Sequence, residues 1–306
     1  MFSSTLIPII CIILLGFVLK RKQFVSDSFW KASDRMVYYI FFPALLVSKI
    51  STMDLTRVPM LKLGAIIILL LSCLTLILMI IQALKPIEPA IFTSVYQGSA
   101  RFNTFIAMAV VTAAWSVPQA MDVAALIVGI KVLFVNILCI SVFAIYLNKS
   151  SSFVNKLLMV LKNPLIIGCT TGLLLNALAI SLPVWLLSSM ELLGGVALTM
   201  GLLSVGAGLI LKFNDWFSYA ILQSVVFKLL LIPLTAFGLG HLFGLDTISH
   251  QVLVTIFAMP TAINAYILAG QLGGDQRVMA KIITIQTIFS AGTLALILYW
   301  IETSAP

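Results

Sequence analysis

Acidic side chains are scarce in this chain: ten Asp and Glu stand against eighteen Lys and Arg, and charged residues fill only 9% of its 306 positions. Soluble domains carry about 25% charged residues, so a chain built to present a wetted surface is excluded. Histidine occurs twice and cysteine four times. Cys11, Cys73, Cys139 and Cys169 all fall within apolar stretches and have no paired spacing. That excludes a zinc motif or a disulfide framework and leaves them as small packing residues. His241 and His250 sit in a connection beyond an apolar run, with Asp246 between them. This trio reads as a solvated loop rather than a metal or catalytic centre. No enzyme, cofactor or metal is expected.

What is abundant is apolar: 61% of the residues, with a mean hydropathy of +1.17. The expected fold class is an all-α polytopic membrane protein with the lipid bilayer as its solvent, since apolar runs long enough to cross about 30 Å of hydrocarbon recur along the chain. The runs are Ser4 to Leu19, Met36 to Ile50, Leu63 to Leu84, Ala90 to Val111 and Val123 to Leu147, then Pro164 to Ile180, Val184 to Leu211, Trp216 to Leu242, Val252 to Leu272 and Ile282 to Ile301. Thr5 to Leu19 has neither a basic segment before it nor a small-residue cleavage site after it, so it reads as a retained first span.

The net charge of +8 lies in short loops between runs rather than on one helix face, which points to membrane topology and away from nucleic acid. With the N-terminus outside, the inner loops hold Lys20, Arg21, Lys22, Lys31, Arg35, Lys85, Lys149, Lys156, Lys162, Lys212, Arg277 and Lys281, while the outer side has only Lys49, Arg57 and Lys62. Cytoplasmic loops retain Lys and Arg. Both termini are therefore expected on the outer side of a cytoplasmic (inner) membrane.

The polar stretch Asn148 to Asn163 divides the ten runs into five and five. The expected organisation is a five-helix repeat over 1–147, a cytoplasmic linker over 148–163 and an inverted five-helix repeat over 164–306. Inverted halves are a common transporter construction, with substrate bound at the midplane where interrupted helices meet.

The fourth run contains Gly98-Ser99-Ala100-Arg101-Phe102-Asn103-Thr104-Phe105-Ile106, and the ninth Met259-Pro260-Thr261-Ala262-Ile263-Asn264-Ala265-Tyr266-Ile267. A shift of 161 positions sets Asn103 on Asn264, Phe105 on Tyr266 and Ile106 on Ile267. Pro260 lacks a backbone donor, and Gly98 and Ser99 weaken a helix, so both runs are expected to open there. An opened helix frees amides and carbonyls, and its new N-terminus favours an anion. An asparagine adds donors and acceptors. Taken singly, each Asn would read as interhelical glue; the matched position favours a site that includes Gly98, Ser99, Asn103, Pro260, Thr261 and Asn264.

Arg101 lies roughly 16 Å into its run, too deep to snorkel. Lys131 and Lys228 fall near mid-depth of their runs, and Glu191 about two turns into its own. Ionisable groups so placed are costly and are usually functional or paired. Arg101 is expected to hold a carboxylate through two parallel hydrogen bonds. For Lys131 and Lys228 a substrate role stands beside a structural ion pair, such as Glu191 with Lys228. The excess of buried cations implies that negative charge arrives with the substrate. Carbonyls, Gln97 and hydroxyls remain as sodium ligands, so ion coupling is open.

These residues give the chain a resemblance to the auxin efflux carrier family, in its bacterial branch of malonate, malate and related carboxylate permeases. The resemblance runs nearly end to end and is carried by Gly16, Phe42-Pro43-Ala44-Leu45-Leu46, Arg101-Phe102-Asn103, Met259-Pro260-Thr261-Ala262-Ile263-Asn264, and Gly273-Gly274-Asp275 leading to Thr287 and Ser290. It implies a fold similar to plant auxin carriers and bile-acid sodium symporters, with the fourth and ninth spans crossing beside the substrate. It also implies an elevator-like cycle, in which spans three to five and eight to ten move against spans one, two, six and seven, and a homodimer through that scaffold. Asn103, Pro260 and Asn264 would be crossover positions, with Arg101 their neighbour. The chain departs from the pattern at Ala107-Met108-Ala109, where many relatives place Gly and Pro, and at Met200, where a counterpart of Pro43 would stand. The large cytosolic loop of the plant carriers is missing, so auxin itself is not implied.

The expected function is a secondary carrier for a small carboxylate. A sodium symporter of bulkier amphipathic acids is the alternative, and a membrane sensor without turnover is a weaker third.

Overall fold

The computed structural model describes residues 2–54, 58–147, 162–211 and 218–303, which form helices joined by turns, with no strand among them. Most of the 148–163 linker, and Arg57, Lys149, Lys156 and Lys212, lie outside the described residues. Helix α1 covers Phe2–Arg21, and α2 (Asp27–Met36) follows, capped by the Ser26 side chain accepting from Phe29 N–H. A π-helical turn, Val37–Phe41, leads without a break into α3, Phe42–Ser51. Next come α4 (Met60–Leu84), α5 (Pro89–Ala100), α6 (Thr104–Ala114) and α7 (Pro118–Leu147).

The later residues form α8 (Pro164–Ala177), α9 (Val184–Ala207) and α10 (Tyr219–Val226), then a second π turn, Phe227–Leu231, running into α11 (Ile232–Leu242). Helices α12 (Thr247–Ala258), α13 (Asn264–Leu272) and α14 (Gln276–Thr303) complete the chain. Each π turn is followed after one residue by a proline, Pro43 or Pro233. A proline ring inside a helix clashes with the carbonyl four residues back and removes one hydrogen bond. Widening the turn before it absorbs both effects.

Among the described residues, five segments are by themselves long and apolar enough to cross a membrane: Met60–Leu84, Pro118–Leu147, Val184–Ala207, Tyr219–Leu242 and Gln276–Ile301. The fourth and ninth predicted runs are each two helices, α5 with α6 and α12 with α13, interrupted where Gly98 to Asn103 and Pro260 to Asn264 were expected to open.

Packing sorts the helices into two groups that draw on both ends of the chain. Helices α1, α3, α8 and α9 lie chiefly on one another, and α5, α7, α10, α11, α12 and α14 do likewise. In the first group α1 and α9 touch backbone to backbone: a Cβ at Gly16 would collide with the Leu203 carbonyl, and one at Gly206 with that of Ile13. The Asn176 side chain of α8 donates to the carbonyls of Ile50, Ser51 and Met53 at 3.0, 3.1 and 2.7 Å, satisfying the C-terminal end of α3.

Glu191 is not the partner of Lys228. It is half exposed and pairs with Lys49 of α3 at 2.9 Å, because α9 packs on α3. His250 and Asp246 serve the backbone: the His250 Nε2 lies 2.9 Å from the Phe237 carbonyl, and Asp246 caps α12 by accepting from Ser249 N–H at 3.0 Å.

Candidate functional site

The two breaks meet. After Ala100 the chain turns extended at Arg101 and stays so to Asn103, where α6 begins. Across from it, Met259 is extended and α13 begins at Asn264. The Asn103 N–H donates to the Pro260 carbonyl at 2.7 Å, a backbone bond from one break to the other.

The paired asparagines do different work. Asn103, 1% exposed, turns its side chain onto its own helix, with Oδ1 accepting from the N–H groups of Phe105 and Ile106 at 3.1 Å each. This caps the start of α6. Asn264 is the first residue of α13, one place past the cap position, which Ile263 fills without a side-chain bond. Its carboxamide is exposed and faces a cavity.

That cavity, about 830 Å³, is lined by Arg101, Asn136 and Asn264 together with Lys31, Asp34, Arg35, Tyr38, Lys162 and Gln271. Four of these side chains carry positive charge and Asp34 is the one acid among the described lining residues. A smaller pocket of about 30 Å³, which Tyr38 shares with the cavity, reaches Asn103, Thr104 and Ile263 at the break itself. Arg101 is partly buried, and one terminal nitrogen, Nη2, donates to Asn136 Oδ1 at 2.6 Å, while its Nε is buried and has no partner among the described residues. Asn136 is held in turn by donating to the Val132 carbonyl at 2.9 Å. An oriented guanidinium lining the cavity beside an exposed carboxamide is suited to bind a planar anion.

Behind the breaks lies a polar core that the sequence reading did not single out. Gln286 of α14, wholly buried, accepts from Thr261 N–H at 2.9 Å and donates to the Gly98 carbonyl at 3.0 Å, so one carboxamide serves both interruptions. It also donates to Ser224 Oγ at 3.1 Å. The Thr261 hydroxyl donates to the Gln97 carbonyl at 3.4 Å, and Ser99 Oγ to that of Val95 at 2.8 Å. Gly98 is required by close approach: a Cβ there would stand 2.5 Å from Ser224 Oγ and 2.6 Å from Ile282 Cγ2. Gln286, Ser224 and Asn136 are isolated polar residues in apolar stretches, and such isolation at mid-helix was the only signal available.

Of the expected site residues, Arg101 and Asn264 line the cavity and Asn103 its inner pocket. Gly98, Ser99, Pro260 and Thr261 build the crossover beneath them. Lys131 and Lys228 are fully buried and are not among the residues lining the cavity. Among the described residues Lys228 Nζ has no hydrogen-bond partner, and neither end of the Gln97 carboxamide has one.

A family profile described as membrane transport protein matches residues 1–298. Among curated proteins none matches the chain.

Proposed function

Because the chain belongs to the auxin efflux carrier family of membrane transport proteins, we propose that it carries a small organic anion, a carboxylate, bound between Arg101 and Asn264. It is a multi-pass membrane protein; in our reading it sits in a cytoplasmic (inner) membrane with both termini outward. The observation that carries the reading is the charge of the cavity. Lys31, Arg35, Arg101 and Lys162 face it against Asp34 alone among the described lining residues, and focused positive potential concentrates and orients anions. Lys131 and Lys228 lie behind the crossover and do not line the cavity.

The cycle we propose is alternating access by an elevator-like movement. Two features support it: the helices sort into two packed groups, and the breaks are tied to each other by the Asn103 to Pro260 bond, so that they travel together. The ten spans would form two inverted repeats, and the group containing α1, α3, α8 and α9 would be the scaffold and the face of a homodimer.

The test is the melting temperature of the purified protein against mono- and dicarboxylates, with inorganic anions of equal charge as controls. A ligand selective for the native state raises it. Wild type shows a saturable shift with at least one carboxylate, weakened about tenfold or more in Arg101→Gln by loss of a charge-assisted bond worth about 1.5–3 kcal/mol. Arg101→Lys does not restore it, since an ammonium lacks the paired donors. A full shift in Arg101→Gln and Asn264→Ala alike would refute the assignment.

A further inference from the structure

Pro260 has a consequence one turn upstream. In a continued helix the Ile256 carbonyl would accept from the backbone N–H of residue 260, and proline has none. The last turn of α12 thus presents an unclaimed carbonyl, in the region where the helix dipole is negative. Lys131 claims it: the fully buried ammonium, reaching in from α7, donates to Ile256 O at 3.3 Å. The same Nζ lies 3.7 Å from the centre of the Phe257 ring and 4.2 Å from that of Phe102, and aromatic faces attract cations, more so when water is excluded. Phe102 belongs to the first break, and Ile256 and Phe257 to the helix end at the second. One ammonium therefore binds the C-terminal side of both interrupted helices.

Carriers built on broken helices use such half-helix C-termini and unwound carbonyls to coordinate the coupling cation. We propose that Lys131 is a tethered cation that occupies this place permanently, so that the crossover needs no sodium ion. Two observations argue together: the carbonyl freed by Pro260 is engaged, and two aromatic rings flank the ammonium where a metal ion would need oxygen ligands. Neither of the ion pairs among the described residues involves Lys131. The inference rests on the carrier reading of the crossover and decides its energetics: the substrate anion moves with built-in positive charge and without a sodium gradient.

The test reads cation binding without any substrate. Full-length protein is melted in sodium chloride and in choline chloride of equal ionic strength. Wild type gives the same melting temperature in both, and Lys131→Arg does too. Lys131→Ala melts lower in choline chloride and recovers saturably in methylammonium chloride, which refills the vacated place, but not in sodium chloride, since the rings supply none of the oxygen ligands a metal ion needs. If the alanine variant does not fold, Lys131→Ser prepared in methylammonium chloride and then exchanged into choline chloride gives the same comparison. A saturable sodium shift in wild type overturns the proposal, and so does a variant indifferent to methylammonium. The carboxylate shift of wild type is recorded in choline chloride in parallel. Its absence with unchanged cation results would defeat the carboxylate reading alone, and its presence only when sodium is added would defeat the tethered cation alone.

Discussion

The amide of Asn103 and the carbonyl of Pro260 share a 2.7 Å hydrogen bond, and through it each broken helix completes the other. A break inside a membrane leaves donors and acceptors that lipid cannot satisfy, each costing several kcal/mol. Here each break offers what the other lacks. Proline supplies the acceptor without a donor of its own, and Asn103 supplies a donor that α6 cannot use.

Asn103 is the more structural of the matched asparagines. Replacing a side chain that caps a helix costs about 0.5–2 kcal/mol, and Asn103 satisfies two amides. Asn103→Ala is expected to lower the melting temperature, while Asn103→Ser, which keeps a capping oxygen, regains most of it and retains the carboxylate shift. Equal melting for the alanine and serine variants would remove the cap from the account.

Gln286 offers a sharper test, because shape can be kept while the bonds are removed. Gln286→Met leaves Thr261 N–H and the Gly98 carbonyl without this partner, at about 1–3 kcal/mol for each buried group left unsatisfied. The expected result is a large fall in melting temperature at nearly unchanged side-chain volume. A variant as stable as wild type would mean that the breaks find other partners.

Gly98→Ala places a methyl group against Ser224 Oγ and Ile282 Cγ2, and overpacking of this kind costs about 1–3 kcal/mol. In the background Ile282→Ala the same change is expected to cost less, giving a coupling that a double-mutant cycle of melting temperatures measures. Strict additivity would place the strain elsewhere.

Lys228 has no hydrogen-bond partner among the described residues, so in either protonation state its nitrogen is a buried polar group without compensation. Lys228→Met keeps the stem and removes the burden. The ligand-free protein is expected to melt higher. A lower melting temperature would reveal a stabilising contact of the amine.

How much of this could be seen in the sequence follows from how local each feature is. The helical runs were legible because apolar length is a property of a segment, and the second break because Pro260 acts on its own turn; Gly98 stays inside α5, which ends only at Ala100, and its smallness serves packing on Ser224 and Ile282. The asparagine pair was legible as a pair but not in its division of labour. Asn103 precedes its helix and Asn264 opens its own, a difference of one residue that decides whether the side chain caps or faces the cavity. Partners were hidden throughout. Glu191 meets Lys49 and not Lys228 because α9 packs on α3, and Gln286 reaches both breaks because α14 passes beside α5. Neither relation has a trace in spacing along the chain.

The two π turns alter how the faces of their helices must be read. An α-helix advances about 100° per residue, and a π turn takes in one residue more than the turn it replaces. A helical wheel drawn straight through residues 27–51 therefore falls out of phase by roughly a quarter turn after Phe41, and one through 219–242 does so after Leu231. Tyr38 thereby reaches the cavity while Phe42 and Leu46 are buried. When relatives that lack Pro43 or Pro233 are aligned with this chain, residues at the same aligned position beyond the turn will point in different directions.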